Sequence, residues 1–511
     1  MTVLLALPVL VPVLGAGLTL LTRRQVVVQV LSVTVLTGVL VDVVALLVLA
    51  DRNGPLVLRA GGWDAPAGIV LVADRLSTLL LTAAVAVALA VLVFAIGQGA
   101  AEERPGAATA FHPAYLVLVS GVALAFLTGD LFNLFVAFEM MLTASFVLIT
   151  LDAGEPRTRA GMTYVTTSLV SSLLFLTAIA LLYAATGTVT LAQLAGRVGG
   201  LPEGLRSALG LLLLVVFGVK AALVPLHFWV PDSYPTAPTP ITAVFAALLT
   251  KVGMYAILRT QTLVFPRSEL WVLLAVAAVT AMLVGIFGAL AHKDVNRVLA
   301  FTLVSHMGYM LFGLALFDVA GLTGTILYMI HHIVVQAALF LVAGLVVART
   351  GTPALPRMAG RAAPSAAIAL LFALPALSVA GVPPFSGFVA KVALLQAGVG
   401  NGTPLAYMLA GASVLTSLLT LYAMSRIWRL AFLRTVRPDE EPSSAAGRHT
   451  GQPGAGRGAG SLMVGATAGM VAIGLTVALA AGPLADIGTR AAQDLLRPDG
   501  YRGAVMKGAQ R

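Results

Sequence analysis

The 511-residue chain contains no cysteine. It therefore offers no disulfide, no thiolate metal site and no thiol redox chemistry. Charged residues are also scarce, at 10% of the chain, whereas hydrophobic residues make up 59% and the mean hydropathy is +0.99. Because soluble domains carry about 25% charged residues, this composition excludes a soluble protein and predicts an integral membrane protein.

Several functional motifs are missing as well. The sequence has no Walker loop for ATP, no HExxH helix for zinc and no G-x-S-x-G nucleophile elbow. We therefore expect no cofactor, no bound metal and a transporter rather than an enzyme. The net charge of +10 is dispersed over links and the tail, which indicates orientation in a lipid bilayer and not nucleic-acid binding.

What the chain does contain is a series of apolar runs of about twenty residues, the length of a spanning helix. The ten-residue alternation of a membrane barrel is absent. The pattern predicts an all-α integral membrane protein with about 14 transmembrane helices. Arginine and lysine favour the links after odd-numbered spans, so the positive-inside rule puts both termini outside.

Two of the predicted spans, 7 and 12, contain helix breaks. Pro225 follows Lys220 in the first, and the stretch Gly381–Gly387 precedes Lys391 in the second. Broken helices in corresponding positions indicate inverted repeats, although the order of lysine and proline differs between the two. The proline-rich link from Pro231 to Pro240 is expected to be non-helical.

These features predict five regions along the chain. They are a three-helix segment (1–110), a first five-helix repeat (111–265, spans 4–8), a second five-helix repeat (266–436, spans 9–13), a flexible polar loop (437–460), and span 14 with a basic tail (461–511).

Ionisable residues inside the apolar runs are the candidate functional residues. They are Glu139, Lys220, His227, Lys251, His306, His331, His332 and Lys391. A charge at mid-membrane costs at least about 2.5–3.5 kcal/mol, so such residues commonly mark ion pathways. A lysine could instead extend to the headgroups; the apolar residues on both sides of Lys220 argue against this there, whereas for Lys251 it stays open. A histidine could instead only pack, and the number of ionisable sites on separate helices argues against that.

The chemistry of this set favours proton transfer. Lysine, glutamate and histidine can each give and take a proton, and the unperturbed pKa of histidine lies near physiological pH. If Glu139 and Lys220 pair across helices, their separation would release a proton from Lys220. Because adjacent residues point to different faces of a helix, we expect one of His331 and His332 to act in the relay and the other to pack.

Four stretches resemble a known family. They are FGVKAALVPLHFWVPDSYPTAPTPITAVFAALLTKVG, KDVNRVLAFTLVSHMGY, HHIVVQAALFLVAG and GVPPFSGFVAK. They are similar to the antiporter-like membrane subunits shared by respiratory complex I, membrane-bound hydrogenases and Mrp (Mnh) multisubunit cation/proton antiporters. The resemblance covers nearly the whole chain. It implies fourteen helices with two inverted five-helix repeats.

The resemblance also implies roles for individual residues. Glu139 and Lys220 would form an ion pair, and Lys251, a histidine of span 11 and Lys391 would continue a water-lined path. Within the family, the likeness is strongest to the D subunits of Mrp antiporters, because residue 391 is lysine and the ending LLRPDGYRGAVMKG is similar. Many relatives have lysine where this chain has Gln336, so the path would depend more on His331 or His332.

Two functions remain open from the sequence. The first is a proton-translocating subunit of an Mrp-type Na+/H+ antiporter in the bacterial plasma membrane, with other Mrp subunits as partners and H+ and Na+ as transported ions. The second is a proton-pumping subunit of complex I or a membrane-bound hydrogenase. A scaffold without transport is disfavoured, because all expected ionisable positions but one are present.

Overall fold

The computed structural model describes residues 2–63, 68–99, 107–151, 155–265, 270–358, 366–433 and 457–507. In this part of the chain, eleven helices are long and apolar enough to cross a membrane. The predicted helical membrane fold is therefore confirmed. A single small hairpin of two strands accompanies the helices in the described ranges.

The N-terminal region consists of three helices and the hairpin. These are α1 (Leu7–Leu20), α2 (Gln25–Asn53), β1 (Leu56–Arg59), β2 (Val70–Ala73) and α3 (Arg75–Gln98). The strands pair antiparallel, with Leu56 opposite Ala73. Asp74 then begins α3 by accepting a hydrogen bond from the N–H of Ser77 at 2.9 Å, which satisfies one free donor of the first turn.

The next region contains the first break. Its helices are α4 (Ala107–Leu127), α5 (Leu131–Thr150), α6 (Glu155–Thr186), α7 (Leu191–Arg197), α8 (Glu203–Lys220), α9 (Trp229–Ser233), α10 (Thr239–Val244) and α11 (Thr250–Arg259). The π-helical turn Phe245–Leu249 joins α10 to α11, and a second π-helical turn, Thr260–Val264, extends α11. Together they form one buried span from Thr239 to Val264.

The proline-rich link is partly helical, so that prediction was wrong. Pro231 lies inside α9, and a 3-10 turn follows at Tyr234–Thr236. Pro240 lies in the first turn of α10. First-turn residues have no backbone acceptor within the helix, so a proline there costs no hydrogen bond.

The third region contains the second break. Its helices are α12 (Trp271–Ala291), α13 (Val295–Leu316), α14 (Val319–Thr350), α15 (Leu355–Met358), α16 (Ala366–Ala380), α17 (Ser386–Asn401) and α18 (Pro404–Trp428). The helices α13 and α14 are almost entirely buried and form the centre of the bundle.

The structure confirms both predicted breaks. The helix α8 stops at Lys220, and the chain passes a cis Val224–Pro225 bond before α9 begins. The helix α16 stops at Ala380, and a cis Pro383–Pro384 bond precedes α17. Besides the eleven long apolar helices, α1, α8 and the pair α16–α17 occupy the other predicted spans, and the count of fourteen stays a prediction.

A shared backbone pattern supports the two predicted repeats. The N–H of Leu131, at the start of α5, donates to the carbonyl of Val189 at 3.0 Å, and the N–H of Val295, at the start of α13, donates to that of Pro353 at 3.0 Å. In both pairs the partners are 58 positions apart. Since α5 and α13 correspond to predicted spans 5 and 10, that prediction puts these two hydrogen bonds at opposite ends of the bundle. The inverted repeat itself stays a prediction.

The C-terminal region contains α19 (Arg457–Leu479), α20 (Ala481–Leu496) and α21 (Asp499–Met506). The residues expected to form a simple basic tail are thus mostly helical. Arg490 of α20 pairs with Asp51 of α2 at 2.8 Å, and Asp494 pairs with Arg75 of α3 at 2.7 Å. Most of the predicted polar loop 437–460 lies outside the described residues.

One arginine at a helix end is buried. Arg259, at the end of α11, pairs with Asp74 at 2.7 Å and donates to the hydroxyl of Tyr255 at 3.2 Å. Its guanidinium lies 5.3 Å from the ring centroid of Tyr501 in α21. The pair therefore ties the start of α3 to the C-terminal helices and is structural in position.

Candidate functional site

The first cluster joins three helices at the first break. Glu139 lies on α5, Ser172 on α6, and Lys220 is the last residue of α8. The hydroxyl of Ser172 donates to Oε1 of Glu139 and accepts from Nζ of Lys220 at 3.1 Å. The hydroxyl, rather than a direct ion pair, therefore connects the acid to the lysine.

Lys220 is held by protein groups on its other side too. Its Nζ donates to the carbonyl of Ser168 at 3.2 Å and lies 5.5 Å from the ring centroid of Phe138. A cavity of about 30 Å³ adjoins the ammonium and is lined in part by Tyr164 and Trp229. Since a water needs about 10–15 Å³, the cavity can admit water to Lys220. This geometry does not fit a lysine extended to the headgroups.

Lys251 lies fully buried just after the π-helical turn Phe245–Leu249. Its Nζ donates to the carbonyl of Ala246 at 2.6 Å and to the hydroxyl of Thr250 at 3.3 Å. A π turn departs from the regular backbone ladder, and here a carbonyl within the turn accepts from a side chain. The π-helical turn before Lys251 packs against α14, which carries His332.

His306 and His332 form the middle of the arrangement. Their ring centroids are 5.3 Å apart, and both residues are fully buried between α13 and α14. Nδ1 of His306 bonds to the hydroxyl of Tyr328 at 2.8 Å. Neither ring nitrogen of His332 has a hydrogen-bond partner among the described residues. No described protein group therefore fixes which ring nitrogen of His332 carries its proton.

His331 points to the other face of α14, as its position beside His332 predicts. Its Nδ1 bonds to the hydroxyl of Ser386 at 2.9 Å, and Ser386 lies 3.3 Å from the hydroxyl of Ser378 across the second break. Nε2 of His331 has no partner in the described part of the chain. The ring therefore connects α14 to the start of α17.

Lys391 lies on α17, after the second break, and its side chain reaches back across the break to the end of α16. Its Nζ donates to the carbonyls of Val379 and Ala380 at 2.9 and 3.1 Å. These carbonyls end α16 and have no continuing helix to satisfy them. The ammonium lies 4.8 Å from the ring centroid of Tyr309, which is a favourable cation–π distance.

His227 lies apart from this arrangement, and Gln336 carries no charge. His227 lies in the loop of the first break, 6.4 Å from the ring of Phe301, and no hydrogen bond joins it to the other candidates in the described ranges. Gln336 donates to the carbonyl of Leu299 at 3.0 Å, and its Oε1 has no described partner.

Several residues of the site were not predicted. Ser172, Ser386 and Tyr328 carry no distinctive sequence signal, because hydroxyl residues are common in spanning helices. Asp42 of α2 is not hydrogen-bonded to these residues, but it does carry a sequence signal, since it interrupts the run VLVDVVALL just as Glu139 interrupts α5. Both carboxylate oxygens of Asp42 are buried without a hydrogen-bond partner among the described residues.

The arrangement can exchange protons. Carboxylate, hydroxyl, ammonium and imidazole groups extend from the first break through α11, α13 and α14 to the second break. In the described ranges no three His, Asp or Glu residues converge in a way that could hold a metal ion. Fold and site together define a multi-pass membrane protein with a buried row of titratable side chains.

Comparisons with known proteins place the chain in a family. A family profile described as "NADH:quinone oxidoreductase/Mrp antiporter, TM" matches residues 128–420. The D subunit of the Na(+)/H(+) antiporter of Alkalihalophilus pseudofirmus is 40% identical over 446 residues, or 86% of this chain and 89% of that protein. Its namesake in Bacillus subtilis is 35% identical over 98% of this chain and 99% of that protein.

Solved structures agree with this assignment. A chain in the structure of the Mrp complex from Dietzia sp. DQ12-45-1b superposes with a TM-score of 0.88 at 32% identity, over 99% of this chain and 100% of that chain. A chain of complex I from Thermus thermophilus has a TM-score of 0.77 at 24% identity, over 96% of this chain and 99% of that chain, and shows the fold alone. The protein belongs to the NADH:quinone oxidoreductase/Mrp antiporter family of membrane proteins, which confirms the resemblance.

Proposed function

We propose that the chain is the D subunit of an Mrp-type Na+/H+ antiporter and conducts protons across the membrane centre. The observation that carries the proposal is the buried row itself. Its lysines bond to hydroxyls and backbone carbonyls inside the protein. Because each buried ionisable group costs free energy in a membrane, a row of them is retained for a function that needs titratable groups.

The proposed relay has five main members and three secondary ones. The main members are Glu139, Lys220, Lys251, His332 and Lys391, and the secondary ones are His227, His306 and His331. A proton on Lys220 would be released when its contact with Glu139 weakens. It would then pass through Lys251 and His332 towards Lys391, with waters filling gaps between side chains.

The partners follow from this proposal. The subunit would act in a hetero-oligomeric complex with the other Mrp subunits, in the bacterial plasma membrane, with both termini outside. The complex would exchange cytoplasmic Na+ for external protons. As a transporter subunit, the chain would need no cofactor of its own.

The alternative is a subunit of a redox-driven proton pump, and one experiment separates the two. The complete complex is reconstituted in proteoliposomes loaded with NaCl, diluted into Na+-free buffer without electron donors, and internal pH is followed with a dye. K+ and valinomycin supply charge compensation. We expect Na+ efflux to acidify the lumen. Acidification that appears only after an electron donor is added would support the redox pump instead.

A further inference from the structure

The contact between Glu139 and Lys220 passes through one hydroxyl group. Ser172 is nearly fully buried on α6, donates to Oε1 of Glu139 and accepts from Nζ of Lys220. A serine hydroxyl has one hydrogen to donate and two lone pairs that accept. The position of Ser172 uses the hydrogen for the acid and a lone pair for the ammonium.

We propose that Ser172 is a proton-relay residue that carries the proton between Lys220 and Glu139. In this step the ammonium of Lys220 gives a proton to the oxygen of Ser172, while the hydroxyl hydrogen of Ser172 moves to the carboxylate of Glu139. The hydroxyl is regenerated, the lysine becomes a neutral amine and the acid becomes a neutral carboxyl group. No electron transfer and no other reactant is needed. This inference rests on the proposed proton transport.

This proton transfer neutralises Glu139 and Lys220 without moving α5 away from α8. A neutral amine and a neutral carboxyl group cost less in a membrane interior than two charges. The amine of Lys220 could then take a new proton from the adjoining cavity, which Tyr164 lines. The hydroxyl of Tyr164 itself bonds to Ser145 at 2.6 Å, so further exchangeable protons lie beside the lysine.

Loss of the hydroxyl would leave no other described side chain bonded to both Glu139 and Lys220. The remaining hydrogen-bond acceptor of Lys220 is the backbone carbonyl of Ser168, which has no proton to pass on. The bonds to the acid and to the lysine both end on the same oxygen of Ser172. Replacement of Ser172 by alanine therefore removes both hydrogen bonds and interrupts the proton path between Lys220 and Glu139.

The neighbouring serine supplies a matched control. Ser171 is on the same helix, is fully buried, and its hydroxyl donates to the backbone carbonyl of Val216 at 3.1 Å. Ser171→Ala removes the same atom one position away and touches neither Glu139 nor Lys220. Ser172→Thr keeps a hydroxyl at the bridging position.

The test measures Na+-driven proton movement by the reconstituted complex for Ser172→Ala, Ser172→Thr and Ser171→Ala, with complex yield as the assembly check. We expect Ser172→Ala to lower the rate at least about tenfold, the low end of what a positioned proton-transfer group contributes. Ser172→Thr should keep most of the rate, and Ser171→Ala should stay near wild type. Wild-type rates in Ser172→Ala, or equal losses in both alanine variants, would overturn the proposal.

A second readout does not depend on transport. Infrared difference spectra of the purified complex report the carboxyl band of Glu139, which Glu139→Gln identifies. We expect Ser172→Ala, but not Ser171→Ala, to shift this band and its titration midpoint. If the wild-type complex fails to exchange Na+ for protons, the proposed function fails while the band shift still decides the role of Ser172. An unshifted band in Ser172→Ala would contradict that role.

Discussion

The two helix breaks hold their lysines in different ways. At the first break, Lys220 is connected to a carboxylate through a hydroxyl. At the second break, Lys391 donates to two backbone carbonyls and faces the ring of Tyr309. The first lysine thus has a partner that can take its proton, whereas the second is stabilised by dipoles that cannot.

This difference assigns different roles to two similar features. A charge balanced by an ionisable acid can be discharged locally, which suits a switch. A charge stabilised only by carbonyls and a ring must exchange its proton with another group, and α13 and α14, which carry the central histidines, both pack against α17. We therefore infer that the first break controls proton release and that the second receives protons from the central helices.

The largest expected effect comes from removing the ionisable groups at either break. Glu139→Ala, Lys220→Ala and Lys391→Ala should each abolish exchange while the complex still assembles. Alanine removes the group that carries the proton and leaves the helix backbone intact. Transport by reconstituted complexes and subunit yields after purification provide the measurement. Normal transport with Lys220→Ala would remove the role of the first break.

The next effect concerns the path between the breaks. His332→Ala should lower transport at least about tenfold, since a positioned proton-transfer group contributes that much or more. Gln336→Ala should matter less, because the amide carries no exchangeable charge and holds one backbone carbonyl. Both variants truncate a buried side chain of α14, so each controls for packing in the other. Equal and negligible losses would show that protons cross elsewhere.

A glycine at the second break gives a smaller effect. The φ of Gly381 is +89°, and a methyl group there would lie 2.8 Å from Cδ of Lys391. Gly381→Ala should displace the lysine and lower transport several-fold. Gly402→Ala is the matched control, because its φ is +71° but open space surrounds it. Both variants should lose about 1–2 kcal/mol of stability from left-handed backbone strain, measured by thermal unfolding. Equal transport in the two variants would show that the close packing of Gly381 against the Lys391 side chain is not needed for transport.

The smallest expected effect tests the ring beside Lys391. Tyr309→Phe removes the bonds from the hydroxyl to the carbonyl of Ser413 at 2.6 Å and to the hydroxyl of Ser417 at 2.9 Å. The aromatic face over the ammonium remains. Transport should therefore stay within about twofold of wild type, whereas stability should fall by about 1 kcal/mol, the usual net value of a hydrogen bond. A large transport loss would place the Tyr309 hydroxyl in the proton path.

The sequence predicts the features that are unusual in a membrane helix, namely charged residues and prolines within apolar runs. Lys220, Lys391 and Glu139 interrupt apolar runs, and prolines beside the lysines indicate the breaks. Asp42 carries the same signal. The fold could be predicted to this level because hydropathy alone fixes where spanning helices occur.

The remaining features depend on tertiary packing. Ser172 becomes important only because α6 brings it between α5 and α8, and nothing in its neighbourhood along the chain distinguishes it from Ser171. Hydropathy does not predict the helix α20, because charged residues interrupt its apolar residues. Its ion pairs with Asp51 of α2 and Arg75 of α3 depend on how these helices pack against it.

The most direct test of the buried proton row is a structure of the assembled complex that resolves ordered waters. Proton conduction along the row predicts an unbroken hydrogen-bonded path from Glu139 and Lys220, through Lys251 and His332, to Lys391. A dry apolar gap along that path, or lysines that reach the lipid headgroups, would contradict it.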